Sequence, residues 1–176
     1  MIRLGDFVIR GRVWKFGDSV DTNVMAPLHL MRKGETEELA QHTMAALRPE
    51  FPAQVRPGDI LVAGRNLGCG SHREEANLVL EKVGIRAIVA DSVARIFLRT
   101  SINLAFPTLV APGVSALVED QEELEIDYPN GTIRNLRSGK EIPLSKYPPS
   151  VEQIFEAGGI LTLLKDRCVK EGLVRL

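Results

Sequence analysis

The residue types in this chain that could do chemistry gather in one segment, Gly64-Arg65-Asn66-Leu67-Gly68-Cys69-Gly70-Ser71-His72-Arg73-Glu74. Three glycines in seven positions lead directly into a serine, a histidine and an arginine. Glycines between a buried strand and a helix let the backbone come close to a ligand, and the unpaired N–H groups of a helix start favour an anion. Arg73 would add a planar fork suited to a carboxylate or a phosphate. An anionic ligand is therefore the first expectation. A P-loop requires GxxxxGK before Ser or Thr, whereas the sixth position counted from Gly64 is Cys69 and the segment has no Lys. A dinucleotide fingerprint finds GxG at Gly68-Cys69-Gly70 and an acid downstream at Asp91. However, Arg73 occupies the third glycine's place, where bulk opposes helix–strand contact. The plain structural alternative is a helix cap. Ser71-His72-Arg73-Glu74 reads S-x-x-E, in which Ser71 would accept a first-turn N–H and Glu74 would reach back.

The elements around this segment must position it. Ile60-Leu61-Val62-Ala63 reads as a short buried strand, and Ser71 to Val83 as a helix with Ala76, Val79, Leu80 and Val83 inward, stopped by Gly84. Ile85 to Ala90 is a further strand, and Leu109-Val110-Ala111 another. Between them Ser92 to Asn103 reads as a helix with Val93, Ile96, Phe97 and Leu98 or Ile102 inward. This alternation implies parallel pairing with right-handed crossovers. Upstream, Phe7 to Trp14 reads as a first strand, Asp21 to Pro27 as a turn with a brief extended piece, and Leu28 to Gly34 shows no period. Thr36 is placed as the N-cap of a helix with Leu39, Ala40, Met44 and Leu47 on one face, ending before Pro49. Downstream, Glu122 to Tyr128, Pro129-Asn130-Gly131 and Thr132 to Leu136 form a hairpin by the Asn-Gly rule, with an edge at Lys140 to Leu144. Helices at Val151 to Ala157 and Ile160 to Cys168 follow, interrupted by Gly158-Gly159. The expectation is a mixed α/β domain in three layers.

Composition bounds the function. With 22 basic and 23 acidic residues among 176, the chain lacks the cationic excess of a nucleic-acid binder. Apolar residues at 44% and charged residues at 26% predict a globular core rather than disorder. No apolar run approaches a membrane span and the start has no signal-peptide core, so a cytoplasmic protein without membrane contact is expected. Two cysteines, Cys69 and Cys168, and three histidines, His29, His42 and His72, show no ligand spacing. No metal site is expected on this chain, so its chemistry is either metal-free or shared with a partner.

The segment Gly64 to Glu74 resembles the G-x-N-F-G-x-G-S-S-R-E segment of the aconitase superfamily's swivel domain, and within it most closely the small subunits of 3-isopropylmalate dehydratase. The resemblance extends to Gly11-Arg12-Val13-Trp14-Lys15-Phe16-Gly17-Asp18 with Asp21-Thr22, and to Gly84-Ile85-Arg86-Ala87-Ile88-Val89-Ala90. It continues through Ser92-Val93-Ala94-Arg95-Ile96-Phe97 with Ile102-Asn103 to the turn at Pro129-Asn130-Gly131. It implies one three-layer β/β/α swivelling domain of the aconitase C-terminal type over residues 1–176, with a substrate loop at about 26–34 and a C-terminal helical segment at about 150–170. It also implies a separate large subunit carrying a [4Fe–4S] cluster, none of it bound by this chain, and a small di- or tricarboxylate substrate. The chain would be inactive alone, and the isolated chain could self-associate.

By the same resemblance Ser71 would be the base that removes the proton beside a carboxylate, with Gly70, Ser71, His72 and Arg73 binding substrate. Backbone N–H groups at the helix start and the charge of Arg73 would together favour a serine alkoxide in a closed site. His72 stands where the family has a second serine, Glu75 where it has a histidine, Asn23 at the second Asp of D-T-D, and Ala105 at a glycine. Leu28, His29, Leu30, Met31 and Arg32 fall in the family's specificity loop. The leucines and Met31 suit an alkyl group, while His29 and Arg32 suit a further carboxylate. The expected function is the small subunit of a hydro-lyase interconverting malate-type 2-hydroxy acids by dehydration and rehydration. The expected substrate is 3-isopropylmalate, in leucine biosynthesis. The alternatives are another alkyl-substituted malate, citraconate or homoaconitate, a non-catalytic anion-binding regulatory module, or a nucleotide-binding domain.

Overall fold

The structure is a computed structural model and describes residues 4–31, 36–71 and 73–172. Its strands form one sheet of order β4-β3-β2-β1-β5-β6-β7. The parallel half consists of β1 (Val8–Lys15), β2 (Ile60–Ala63), β3 (Ala87–Ala90) and β4 (Thr108–Val110). The antiparallel half consists of β5 (Glu123–Asp127), β6 (Thr132–Asn135) and β7 (Glu141–Pro143). β1 belongs to both halves: Val8 to Arg12 pair with β5, whereas Val13 to Lys15 pair with β2.

The central parallel strands β2 and β3 are buried on both faces, which is why their sequences are unbroken apolar runs rather than alternating ones. Leu61, Ala63, Ile88 and Ala90 face one core with Trp14, Phe51, Val79, Leu80 and Phe97. Ile60, Val62, Ala87 and Val89 face a second core with Leu124, Ile126, Ile133 and Phe155. Helices α1 (Thr22–Met25), α3 (Thr36–His42) and α5 (Glu75–Lys82) contribute to the first core. The antiparallel half, with α7 (Val114–Leu117) and α8 (Pro149–Ala157), covers the other. Helix, parallel sheet and antiparallel sheet are the three layers expected from the sequence.

Several local expectations are corrected. Within Asp21 to Pro27, Thr22–Met25 form the single helical turn α1, capped by the Asp21 carboxylate that accepts from Asn23 N at 2.7 Å, while Asp21 and Ala26 at its ends are extended. Another turn, α2 (Leu28–Met31), follows, too short for a period to register in the sequence. Helix α3 ends at His42 instead of running toward Pro49. Met44 takes a positive φ of 59°, donates its N–H to Val24 O at 2.8 Å and is buried, while Leu47 stays exposed. Helix α4 (Phe51–Gln54) has no counterpart in the sequence reading, and it seats Phe51 against Trp14 with ring centroids 4.8 Å apart. Helix α6 (Arg95–Asn103) starts three residues later than Ser92, and it turns Phe97 inward but leaves Ile96 55% exposed. The hairpin, its edge strand, and α8 with α9 (Ile160–Lys170) separated by Gly158-Gly159 fall where expected. No helix among the described residues is long and apolar enough to cross a membrane.

Candidate functional site

The segment after β2 lies between two other stretches of chain and is hydrogen-bonded to both. On one side Arg65 N donates to Asp18 Oδ1 at 2.7 Å, Gly68 N to Val20 O at 2.9 Å, and Thr22 N to Cys69 O at 2.9 Å. On the other side Asn66 N donates to Ser92 Oγ at 2.9 Å and Ala94 N to Leu67 O at 2.8 Å. The segment is thus held in place before any ligand binds. Its glycines are needed for this packing. Gly70 has φ +101°, and a Cβ there would lie 2.7 Å from an Asp21 carboxylate oxygen. At Gly68, with φ +75°, a Cβ would lie 2.2 Å from the Phe97 ring. Close approach of this chain to itself, more than approach to an anion, explains these two glycines.

The helix-start cradle and the capping box expected at Ser71 are not formed. Helix α5 begins at Glu75, and its N-cap, Glu74, makes no side-chain cap hydrogen bond. Ser71 instead precedes the helix, half-buried, with its backbone N–H donating to Thr22 Oγ1 at 3.1 Å. Thr22 Oγ1 also lies 3.4 Å from Ser71 Oγ. Arg73 Nε donates to Ser71 Oγ at 2.6 Å, and Arg73 Nη2 donates to Asn23 Oδ1 at 2.6 Å. The guanidinium is therefore oriented by α1 and directed at the serine oxygen. A charge-assisted donor on a hydroxyl oxygen stabilises the alkoxide over the alcohol. Asn23 is a neutral acceptor, so it orients Arg73 without cancelling its charge.

Of the expected site residues, the structure brings together Gly70, Ser71 and Arg73, while His72 lies outside the described residues. Leu28 and His29 are exposed on α2, whereas Leu30 is 8% exposed and packs into the first core. The Met31 side chain and Arg32 lie outside the described residues. Thr22 and Asn23 complete the surroundings of Ser71, and the sequence reading gave neither a contact with it. The available signal was the Asp21-Thr22-Asn23 tripeptide, whose distance from Ser71 in sequence hides the contact. An open cleft of about 420 Å³ adjoins the segment, lined by Asn66, Gly68, Gly70, Val93, Ala94, Arg95 and Ile96. Asp91, weighed as the ribose acid of a dinucleotide site, is engaged elsewhere. It accepts from Gly113 N at 2.8 Å, from Ser115 N at 3.3 Å and from the Ser115 hydroxyl.

Residues 22–112, from Thr22 beside the serine through α6 and β4, match the model of the aconitase C-terminal domain. The chain belongs to the aconitase C-terminal domain family. Among curated members, the 3-isopropylmalate dehydratase small subunit 1 of Methanopyrus kandleri is 46% identical over 158 residues, 90% of this chain and 93% of its own length. The methanogen homoaconitase small subunit of Methanothermobacter thermautotrophicus is 47% identical over 154 residues, 88% of this chain and 89% of its own. A crystal structure of 3-isopropylmalate dehydratase from Methanocaldococcus jannaschii superposes with a TM-score of 0.87 at 37% identity, covering 94% of this chain and 98% of that one. The aconitase family implies an iron–sulfur cluster. Among the described residues no group of three His, Cys, Asp or Glu side chains converges to hold one, and Cys69 donates to Ser19 O at 3.3 Å. Cys168 lies in α9, a different element.

Proposed function

We propose that this chain is the small subunit of a two-subunit hydro-lyase that interconverts 2-hydroxy acids of the malate type, with 3-isopropylmalate as substrate. The observation that carries the proposal is the 2.6 Å bond from Arg73 Nε to Ser71 Oγ, with the guanidinium held by Asn23. Ser71 takes the proton from the carbon next to a substrate carboxylate, and the cation of Arg73 stabilises the serine oxygen before that transfer and lies beside the carboxylate. Thr22 fixes the approach of Ser71 through the backbone N–H. A large partner subunit carrying a [4Fe–4S] cluster would supply the Lewis acid for the departing hydroxyl. The names of the relatives support this division of labour, since each is called a small subunit.

A second substrate reading, a homoaconitate-type tricarboxylate, is favoured by two observations. His29 is exposed beside Leu28 on α2, and the relative at 47% identity is named a homoaconitase small subunit. Assay of the reconstituted pair against 3-isopropylmalate, citramalate and homocitrate separates the two. The test of the mechanism is Ser71→Ala in the reconstituted pair. Turnover should fall about 100- to 10,000-fold, the usual worth of a positioned base, while the subunits still co-elute. Turnover within threefold of the parent pair would overturn the assignment of Ser71.

A further inference from the structure

We infer that Arg95 is a second carboxylate-binding residue, gripping the end of the substrate that Arg73 does not hold. The inference rests on the proposed function and deepens it, because a malate-type substrate carries at least two carboxylates. Arg73 Nε is committed to Ser71 Oγ and Nη2 to Asn23. A second anionic group therefore calls for a second cation near the segment that carries Ser71. Arg95 lines the same cleft as Gly68 and Gly70, the residues leading into Ser71. It is exposed, and its side chain makes no hydrogen bond or ion pair among the described residues.

Its position is fixed by the segment that carries the base. Ala94, the residue before it, donates its N–H to Leu67 O at 2.8 Å, and Leu67 N donates to Ser92 O at 3.1 Å. Phe97, two residues on, fills the space that the missing Cβ of Gly68 leaves open. Val93, Ala94 and Ile96 give the cleft an apolar part next to Arg95 along the chain, and Ile96 is 55% exposed although the helical period predicts it inward. A planar fork with no side-chain partner among the described residues, in a cleft with an apolar part, matches a carboxylate joined to a hydrocarbon group.

The test uses the reconstituted two-subunit enzyme with 3-isopropylmalate. Arg95→Gln should raise KM about 10- to 100-fold, the scale of one lost charge-assisted hydrogen-bond pair, with a smaller change in kcat. Arg95→Lys should recover part of that loss. Arg99→Gln, one helical turn farther along α6 and not among the residues lining this cleft, should leave KM unchanged. The parent enzyme should discriminate against a monoamide analogue of the substrate, and Arg95→Gln should lose that discrimination. An unchanged KM in Arg95→Gln, or loss of subunit co-elution as its only effect, would overturn the inference. Equilibrium binding of 3-isopropylmalate to the Ser71→Ala pair reads Arg95 without turnover. Failure of Ser71 as the base is thus distinguishable from failure of Arg95 as a ligand.

Discussion

Replacing Gly70 by Ala adds one methyl group and attacks the candidate site from beneath. At φ +101° an L-residue is strained, at a cost of about 1–2 kcal/mol. The new Cβ would lie 2.7 Å and 2.9 Å from the Asp21 carboxylate oxygens, and Asp21 must shift to relieve this. That carboxylate caps α1 through Asn23 N, so its displacement costs a further ~1 kcal/mol. Together the loss is about 2–3 kcal/mol, or a fall of roughly 4–12 °C in Tm for a chain of this size. Gly139 provides the comparison: it also has a positive φ, +70°, but nothing lies within 4 Å of a Cβ there. Gly139→Ala should cost only the backbone strain, about 1 kcal/mol. Urea unfolding of both variants measures the difference, and turnover of the reconstituted pair measures the functional effect. Displacing α1 moves Thr22 and Asn23 together, so Gly70→Ala should lower kcat at least tenfold while Gly139→Ala leaves it unchanged. Equal destabilisation by the two substitutions, with activity retained in both, would refute the argument that Gly70 is required by its contact with Asp21.

Thr22→Val keeps the shape of a side chain that is 1% exposed but removes the acceptor for the Ser71 N–H. It should lower stability by about 1–3 kcal/mol and reduce kcat, and Thr22→Ser should restore both, as read by denaturation and steady-state kinetics. Asp59 tests the pH dependence of the fold. Burial alone would push its carboxyl up, but hydrogen bonds from Arg12, the Arg56 N–H and Trp14 Nε1 outweigh this and hold it below the ordinary carboxylate range. Its stabilisation is present above the unfolded value of about 4 and is lost as the pH falls through the lowered folded value. Asp59→Asn should therefore be less stable at pH 7 and should show a smaller loss of stability between about pH 4 and pH 2 in urea titrations. An acid limb as steep as that of the parent would show that other carboxylates govern it.

The parts of the fold that rest on local signals were legible in the sequence. The unbroken apolar runs at Ile60 to Ala63 and Ala87 to Ala90 are buried on both faces, and the Asn130-Gly131 turn closes its hairpin. What failed locally was decided by distant partners. Met44 leaves its helical pattern because Val24 O, twenty residues away, accepts its N–H. Ile96 follows the period of an inward residue, yet Phe97 occupies the core and Gly68 gives it room. The S-x-x-E pattern at Ser71 is the most informative failure. As a cap it would satisfy a helix end, but the helix starts at Glu75, and the serine oxygen receives Arg73 instead. Ser71 N–H is bonded to Thr22, 49 residues away, a pairing invisible to any local pattern. Unlike Met44 and Ile96, whose departures bury a core side chain, Ser71 gives up a good cap without entering the core. In place of the cap stands a hydroxyl oxygen held against a guanidinium, the arrangement that the proposed function reads as serving proton transfer rather than the stability of α5.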